Sequence, residues 1–547
     1  MKKMYMFQIR SFWREMGVPQ KKISDKFQYY FGEQCKKITD RPEAIKFLSD
    51  IIQKIQQEFL DKITKENTYG MLLKLCCIFN KVHSLYLLEK SARIELSKQN
   101  IHNEDIIDSF VVNRNIERDI IEACNIWIEN CVLHQHNLNI QGISPRKEFT
   151  IDYELLIDVY VYGSVSRAMS LLTLSKSIGE KNTFYGLEIL SDEDIPLEVL
   201  KYHPLTYYNT VIVGNQDTLV TTSLSRDANT SPFGKGFKAE HNVEFLLFLA
   251  TIKSLQEGYL RGDDKSLRIF NKKEFIKIVE SCTNPSINGE NFYDAFVLTK
   301  EKITKHLRNK EKIIWKIGTN KYRYELRPFI GLDDGNVILS YGGLEQAKQI
   351  WASYSSNGGM CYTDPIELDS LTKAMEIRNK ELSDILVEKI REILNRHYEA
   401  KVDLKDVKYK RIFGQKSTDY GDYDVVYYAE KEKQLFLIES KYFSDSYNSS
   451  GMVSDYNKMF KDGGYYDHCR SRCDLALMES EKLKKFIGTN DDIDVHLLFI
   501  SSKPIEMELT DSDGVVTMLS LGIFEKYIEG KLINGDDDTV IKTHHRI

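Results

Sequence analysis

Leu435-Phe436-Leu437-Ile438 runs without a break into Glu439-Ser440-Lys441. Strand side chains alternate between the two faces of a sheet, so a continuous apolar run is a strand covered on both sides. Leu435, Leu437, Glu439 and Lys441 then share one face, and Phe436, Ile438, Ser440 and Tyr442 the other. A carboxylate and an ammonium at the end of such a strand are costly unless something compensates them. The preceding stretch, Gly421-Asp422-Tyr423-Asp424-Val425-Val426-Tyr427-Tyr428, reads as the neighbouring strand, joined through the charged turn 430–433. Asp424 abuts Val425-Val426 and belongs to that strand, whereas Asp422 follows Gly421 in the turn. Asp424 therefore brings a second carboxylate to the same edge of the sheet.

A divalent cation would supply the compensation. Asp424 and Glu439, with a backbone carbonyl for which Ser440 is well placed, leave positions open for water and phosphate oxygens. Mg²⁺ or Mn²⁺ is held in this way in phosphate chemistry. Lys441 would sit beside the metal, placed to orient or deprotonate the attacking water or to stabilise charge on the pentavalent phosphate. The surrounding order is a long helix over 369–398, a short strand over 407–413, strands over 423–429 and 434–442, a helix over 465–487 and a strand over 495–501. That is α-β-β-β-α-β.

Asp424…Glu439-Ser440-Lys441, with 14 residues between the two acids, resembles the signature of the PD-(D/E)XK nuclease superfamily. The element order is similar to that superfamily's restriction-endonuclease-like core, over about 366–505. Tyr423 stands where the motif has its proline. The resemblance implies Asp424 and Glu439 as metal ligands, Lys441 as the catalytic lysine and Mg²⁺ or Mn²⁺ as cofactor. It further implies hydrolysis of phosphodiester bonds, with DNA favoured over RNA as the partner. Members often add an acid on the first helix; Glu381 is favoured and Glu388 next, with Glu392 and Asp384 on or near the same side. Lys408, Lys410, Arg411, Lys416, Arg470 and Arg472 are candidate phosphate contacts, although such runs are commonly solvated faces. A single site of this kind cuts one strand at a time, so double-strand cleavage would call for a homodimer or repeated nicking. An activating protein partner fits the large remainder of the chain, and by analogy so does a role in restriction or anti-phage defence. The competing reading is a nuclease-like domain without activity, kept as a binding or scaffold module.

The chain of 547 residues exceeds what one core organises. The expected class is multidomain α+β. A mainly helical region covers 1–200, a mixed α/β region 201–365, the nuclease-like α/β domain 366–510 and an extension with Asp536-Asp537-Asp538 the remainder. Segment 44–59 carries Ile45, Leu48, Ile51, Ile52 and Ile55 on one helical face. Segments 69–88 and 106–131 look similar, and 153–175 is apolar nearly all round, a buried helix. The middle region has strand-like runs at 208–213 and 218–222 around an Asn215-Gln216-Asp217 turn. Its glycine-rich 231–237 lacks P-loop spacing and reads as a plain loop. Segment 300–327 holds ten Lys or Arg against three Glu. It reads as a basic helix and then a hairpin with Trp315, Tyr322 and Tyr324, either a winged-helix-like nucleic-acid contact or a solvated surface.

A net charge of −6 confines any nucleic-acid contact to local basic patches. Nine scattered cysteines without paired CxxC motifs read as reduced thiols in a cytoplasmic protein. No uninterrupted apolar run reaches the ~18 residues of a spanning helix, so no membrane is expected. His134-Gln135-His136 reads as a helix end or loop. His468 with Cys469 and Cys473 lacks the partner pair that zinc would need.

Overall fold

The apolar stripes of the first third fold as long helices. In this computed structural model, residues 12–32, 36–38, 41–98, 104–140, 151–174, 182–184, 187–189, 228–260, 267–306, 322–358, 370–444, 458–459, 462–502, 514–532, 540 and 544–547 are described. Helix Arg41–Lys65 buries Leu48, Ile51, Ile52, Ile55, Phe59 and Ile63, one face at helical spacing. Helix Tyr153–Leu174 buries Leu155, Leu156, Ile157, Val159, Val161 and Val165, as its all-round apolarity requires. Helix Thr68–Lys98 packs against Glu104–Leu133 and against Tyr341–Asn357 of the next region. Residues 68–88 are long and apolar enough to cross a membrane by length and composition, yet 61% of that window is buried inside the fold. Burial between helices accounts for that apolarity. The His134-Gln135-His136 stretch follows the end of its helix at Leu133, as expected.

The middle region holds a four-stranded sheet ordered Leu267–Asn271, Asn336–Ser340, Phe329–Gly331, Val297–Leu298. Phe237, Phe248, Phe292, Phe296 and Trp351 cluster in its core. Two expectations change here. The glycine-rich 231–237 is a helix start, Pro232–His241, rather than a plain loop. Ser231 Oγ accepts from Gly234 N at 3.0 Å, and the proline occupies the first turn. A Cβ on Gly236 would lie 2.8 Å from the Ser370 carbonyl oxygen, so glycine lets two helices approach closely. Of the basic hairpin, residues 307–321 lie outside the described residues, and its second half is revised. Lys300–His306 is helical as expected, but residues 324–326 form a turn. The strand that follows, Phe329–Gly331, pairs with Asn336–Ser340 and Val297–Leu298. Tyr324 N donates to Glu129 Oε1 at 2.8 Å, so this stretch ties two regions together instead of offering a solvated basic strand. Trp315, the runs at 208–213 and 218–222 with their turn, and Asp536-Asp537-Asp538 lie outside the described residues.

The C-terminal region runs α1 (Ser370–His397), β1 (Val402–Lys408), α2 (Tyr409–Phe413), β2 (Asp422–Ala429), β3 (Gln434–Lys441), α3 (Tyr465–Met478), α4 (Ser480–Ile487), β4 (Asp494–Ser501), β5 (Thr517–Ser520), α5 (Leu521–Ile528), β6 (His545–Arg546). The sheet order is β5-β4-β3-β2-β1, with β6 beside β4. β1, β2 and β3 form an antiparallel meander, and β3, β4 and β5 are parallel. β3 is central, as its apolar run demands. Leu435 and Leu437 pack with Leu475 and Leu483 from α3 and α4, while Phe436 and Ile438 pack with α1 and α5.

The stretch expected as a strand over 407–413 divides differently. The strand occupies Val402–Lys408, and Tyr409, Ile412 and Phe413 are buried at helical spacing in α2. The expected single helix over 465–487 breaks at Glu479 into α3 and α4. β5 and β6, from the expected extension, complete the same sheet. α1 belongs to two cores: Leu371 and Met375 pack in the middle region, and Leu382, Leu386, Ile390 and Leu394 in the C-terminal one. Together the regions make a multidomain α+β protein.

Candidate active site

β2 and β3 pair from Ala429 and Gln434 as far as Val425 and Ile438. One position beyond the last rung stand Asp424 and Glu439. Alternation puts both on the Leu435/Leu437 face, because Asp424 is two residues from Val426, which packs there. The backbone contact is replaced by a side-chain one: Ser440 N donates to Asp424 Oδ2 at 2.5 Å and Ser440 Oγ at 3.0 Å. Lys441 Nζ lies 2.5 Å from Glu439 Oε1 and 3.8 Å from Asp424 Oδ2, so one cation already bridges the two carboxylates. The sequence trio is thus brought together at the end of the central strand.

Burial is graded across the cluster. The side chains of Glu439 and Arg472 are 7% and 6% exposed, against 18% for Asp424 and 27% for Lys441. Asp424, Ser440 and Lys441 line a cavity of about 380 Å³, with Asn379, Lys380, Ser383 and Asp384 of α1 and Tyr465 of α3 also on its wall. Burial raises the proton affinity of the Glu439 carboxyl, and Asp424 adds to this, against the opposing pull of Lys441 and Arg472. Burial works to lower the Lys441 value, but the carboxylates of Glu439 and Asp424 outweigh it and hold Lys441 above the usual lysine range. Lys441 is therefore an ammonium at neutral pH.

Several assigned residues fall elsewhere. Glu381 does not line the cavity; its carboxylate meets Arg378 Nη1 at 2.9 Å. Glu388 is engaged by Lys405 and Arg391. Asp384, one turn beyond Glu381, is the α1 acid on the cavity wall. Asp406 of β1 also lines it. Its φ of 53° is a left-handed conformation that aspartate adopts more readily than most residues. It sits between the Lys405–Val425 and Val407–Tyr423 rungs, opposite Asp424. Asp422 belongs to β2, paired with Lys408, rather than to the turn.

Arg472 is the largest revision among the basic residues. It is not a surface phosphate contact but a buried partner of Glu439, bonded from Nη2 to Oε2. Arg470 pairs with Asp474 at 3.0 Å, and Lys416 with Glu479. Lys408, Lys410 and Arg411 are exposed, the last two over the Tyr409 and Phe486 rings. Cys469 and Cys473 are buried in the α3 core as free thiols.

Oxygen donors of this kind suit a hard divalent cation. Asp424 Oδ1 carries no hydrogen bond to protein among the described residues, although its Oδ2 carries two. Among the described residues no three His, Cys, Asp or Glu side chains converge as a ready-made ligand set. The pair Asp424 and Glu439 fits a cation that takes its other ligands from water and substrate. Comparison with family models, with curated proteins and with solved structures gives no match.

Proposed function

We propose that the C-terminal region is a metal-dependent nuclease of the PD-(D/E)XK kind, hydrolysing phosphodiester bonds, with DNA the favoured substrate. One observation carries this reading: the lysine of β3 lies between two carboxylates from adjacent strands, with Asp424 and Lys441 on the wall of a cavity and Glu439 buried beside Lys441. Asp424 and Glu439 would hold Mg²⁺ or Mn²⁺, which when bound polarises a phosphoryl oxygen and acidifies a water. Lys441 would donate hydrogen bonds to the attacking water or to a phosphate oxygen and offset the charge that develops there. Ser440, through its N–H and Oγ, fixes the orientation of the Asp424 carboxylate. Of the six candidate phosphate contacts, Lys408, Lys410 and Arg411 are the exposed ones that would meet a phosphate backbone.

Cleavage of both strands calls for a homodimer or successive nicks, and the helical and middle regions are suited to sensing a substrate, trigger or activating partner. A part in restriction or anti-phage defence rests on analogy of organisation.

A second reading has its own support. Glu439 has both oxygens occupied, by Lys441 and by Arg472, which is the arrangement of a structural ion cluster in an inactive binding module. Incubating purified protein with supercoiled plasmid, linear duplex, single-stranded DNA and RNA in Mg²⁺, Mn²⁺ and EDTA separates the two. The nuclease reading expects metal-dependent cleavage of at least one DNA substrate. Retention of every substrate without cutting, in a protein that still binds them, favours the inactive module.

A further inference from the structure

Arg472 has no place in the sequence motif, yet it ties Glu439 to the loop that feeds β2. Its Nη2 donates to Glu439 Oε2 on β3, and its Nη1 donates to the Tyr420 carbonyl at 3.0 Å, in the loop that feeds β2. The phenol of Tyr423 on β2 donates back to the Arg472 carbonyl at 2.9 Å. One residue of α3 thus clasps both strands whose ends carry the acids. The chain makes room for it. Gly421 has φ of 79°, and a Cβ there would lie 2.8 Å from Arg472 Nη1. The guanidinium is rigid, planar and permanently charged, so it fixes direction as well as charge.

The consequence is a division of labour between the two oxygens of Glu439. Oε2 is taken by the buried Arg472, and Oε1 meets Lys441, a residue of the cavity wall, at 2.5 Å. We propose that Arg472 is a positioning residue, holding Oε2 so that Oε1 is presented to a divalent cation bound beside Asp424. This rests on the metal-dependent reading above. Outer partners of this sort orient ligands that would otherwise rotate away, and losing them typically costs about 10–100-fold in metal affinity.

Mn²⁺ titration of the full chain by calorimetry, with melting in EDTA recorded alongside, tests the assignment without any turnover. Wild type, Arg472→Met, Arg472→Lys, Gly421→Ala and Glu439→Gln would be compared. The proposal expects Mn²⁺ affinity to fall about tenfold or more in Arg472→Met and less in Arg472→Lys. It also falls in Gly421→Ala, where the guanidinium is displaced but its charge retained. Should Arg472→Met lack a cooperative melt, the other two variants carry the test. Unchanged affinity in Arg472→Lys and Gly421→Ala, or tighter binding in Arg472→Met, overturns the proposal; the latter would make Arg472 a competitor for the metal's place. Absence of Mn²⁺ binding by wild type overturns the metal reading itself. Binding by wild type that Glu439→Gln retains in full removes Glu439, and with it Arg472, from the metal site.

Discussion

Two clusters of buried charge in this chain differ in construction. At the border of the helical and middle regions, Arg323 and Glu325 pair at 2.7 Å with side-chain exposures of 3% and 10%. Arg323 also reaches the Tyr354 hydroxyl at 3.2 Å, and the adjacent Tyr324 N–H meets Glu129. At the end of β3, the deep pair Glu439–Arg472 is coupled to a shallower pair, Lys441 and Asp424, on a cavity wall. Burial of charge alone therefore marks no function, since both clusters have it. A graded approach from interior to cavity separates the second from the first.

The sharpest way to break that distinction is to neutralise each cluster and compare readouts. Glu439→Gln and Asp424→Asn should each lower the rate of metal-dependent cleavage per folded molecule about 10³-fold, and Glu439→Gln should also lose stability because it leaves the buried Arg472 uncompensated. Glu325→Gln should cost stability alone. Removing one partner of a buried pair leaves the other uncompensated, and a loss of about 3–5 kcal/mol is expected in urea unfolding. Cleavage per folded molecule should be unchanged. If Glu325→Gln instead abolished cleavage in stable protein, the contrast between the clusters would collapse.

A pH comparison sharpens the contrast. The Glu439 carboxyl binds its proton more tightly in the folded than in the unfolded chain. Its contribution to stability is then full below the ordinary glutamate value and is lost as pH rises through the raised folded value. In EDTA, the stability of wild type relative to Glu439→Gln should therefore fall as pH is raised above the ordinary glutamate value of 4.5. A constant difference, measured by urea unfolding across that window, would show that burial does not disfavour this carboxylate.

The smallest effect belongs to the outer edge of the sheet. Arg391 grips Asp403 of β1 through two nitrogens, at 2.7 and 2.9 Å, and is itself about a quarter exposed. Arg391→Ala should cost about 1 kcal/mol or less in the same unfolding assay, with cleavage retained. A larger loss would mean that β1 is anchored mainly by this ion pair rather than by its ladder with β2.

The central strand was legible because an unbroken apolar run ending in charge has few structural explanations. The same run, with period-two alternation, was enough to place Asp424, Glu439 and Lys441 together. What lay outside that pattern was misplaced for identifiable reasons. Tyr409, Ile412 and Phe413 are apolar at helical spacing, but a short apolar segment is ambiguous between helix and strand. The start at Ser231-Pro232 carried both a cap and an N-terminal proline, signals that the flanking glycines obscured. Arg472 lies between Cys469, Cys473 and Ala476, all buried on one side of α3. An arginine on that apolar stripe was the available sign that it points inward. The choice among acids on α1 depended on helix rotation, which packing of Leu382 and Leu386 decides and composition does not. Asp406 carried no sequence signal, since its left-handed backbone is set by pairing on both sides of it.

The central claim is that the Asp424, Glu439 and Lys441 cluster cuts phosphodiester bonds with a bound metal. Conversion of supercoiled plasmid to nicked or linear form tests it most directly, with wild type, Lys441→Met and Glu439→Gln in Mg²⁺ or Mn²⁺ and in EDTA. The account expects conversion by wild type only with metal, and none above background by either variant. Equal conversion by wild type and both variants, or conversion that EDTA leaves untouched, would contradict it.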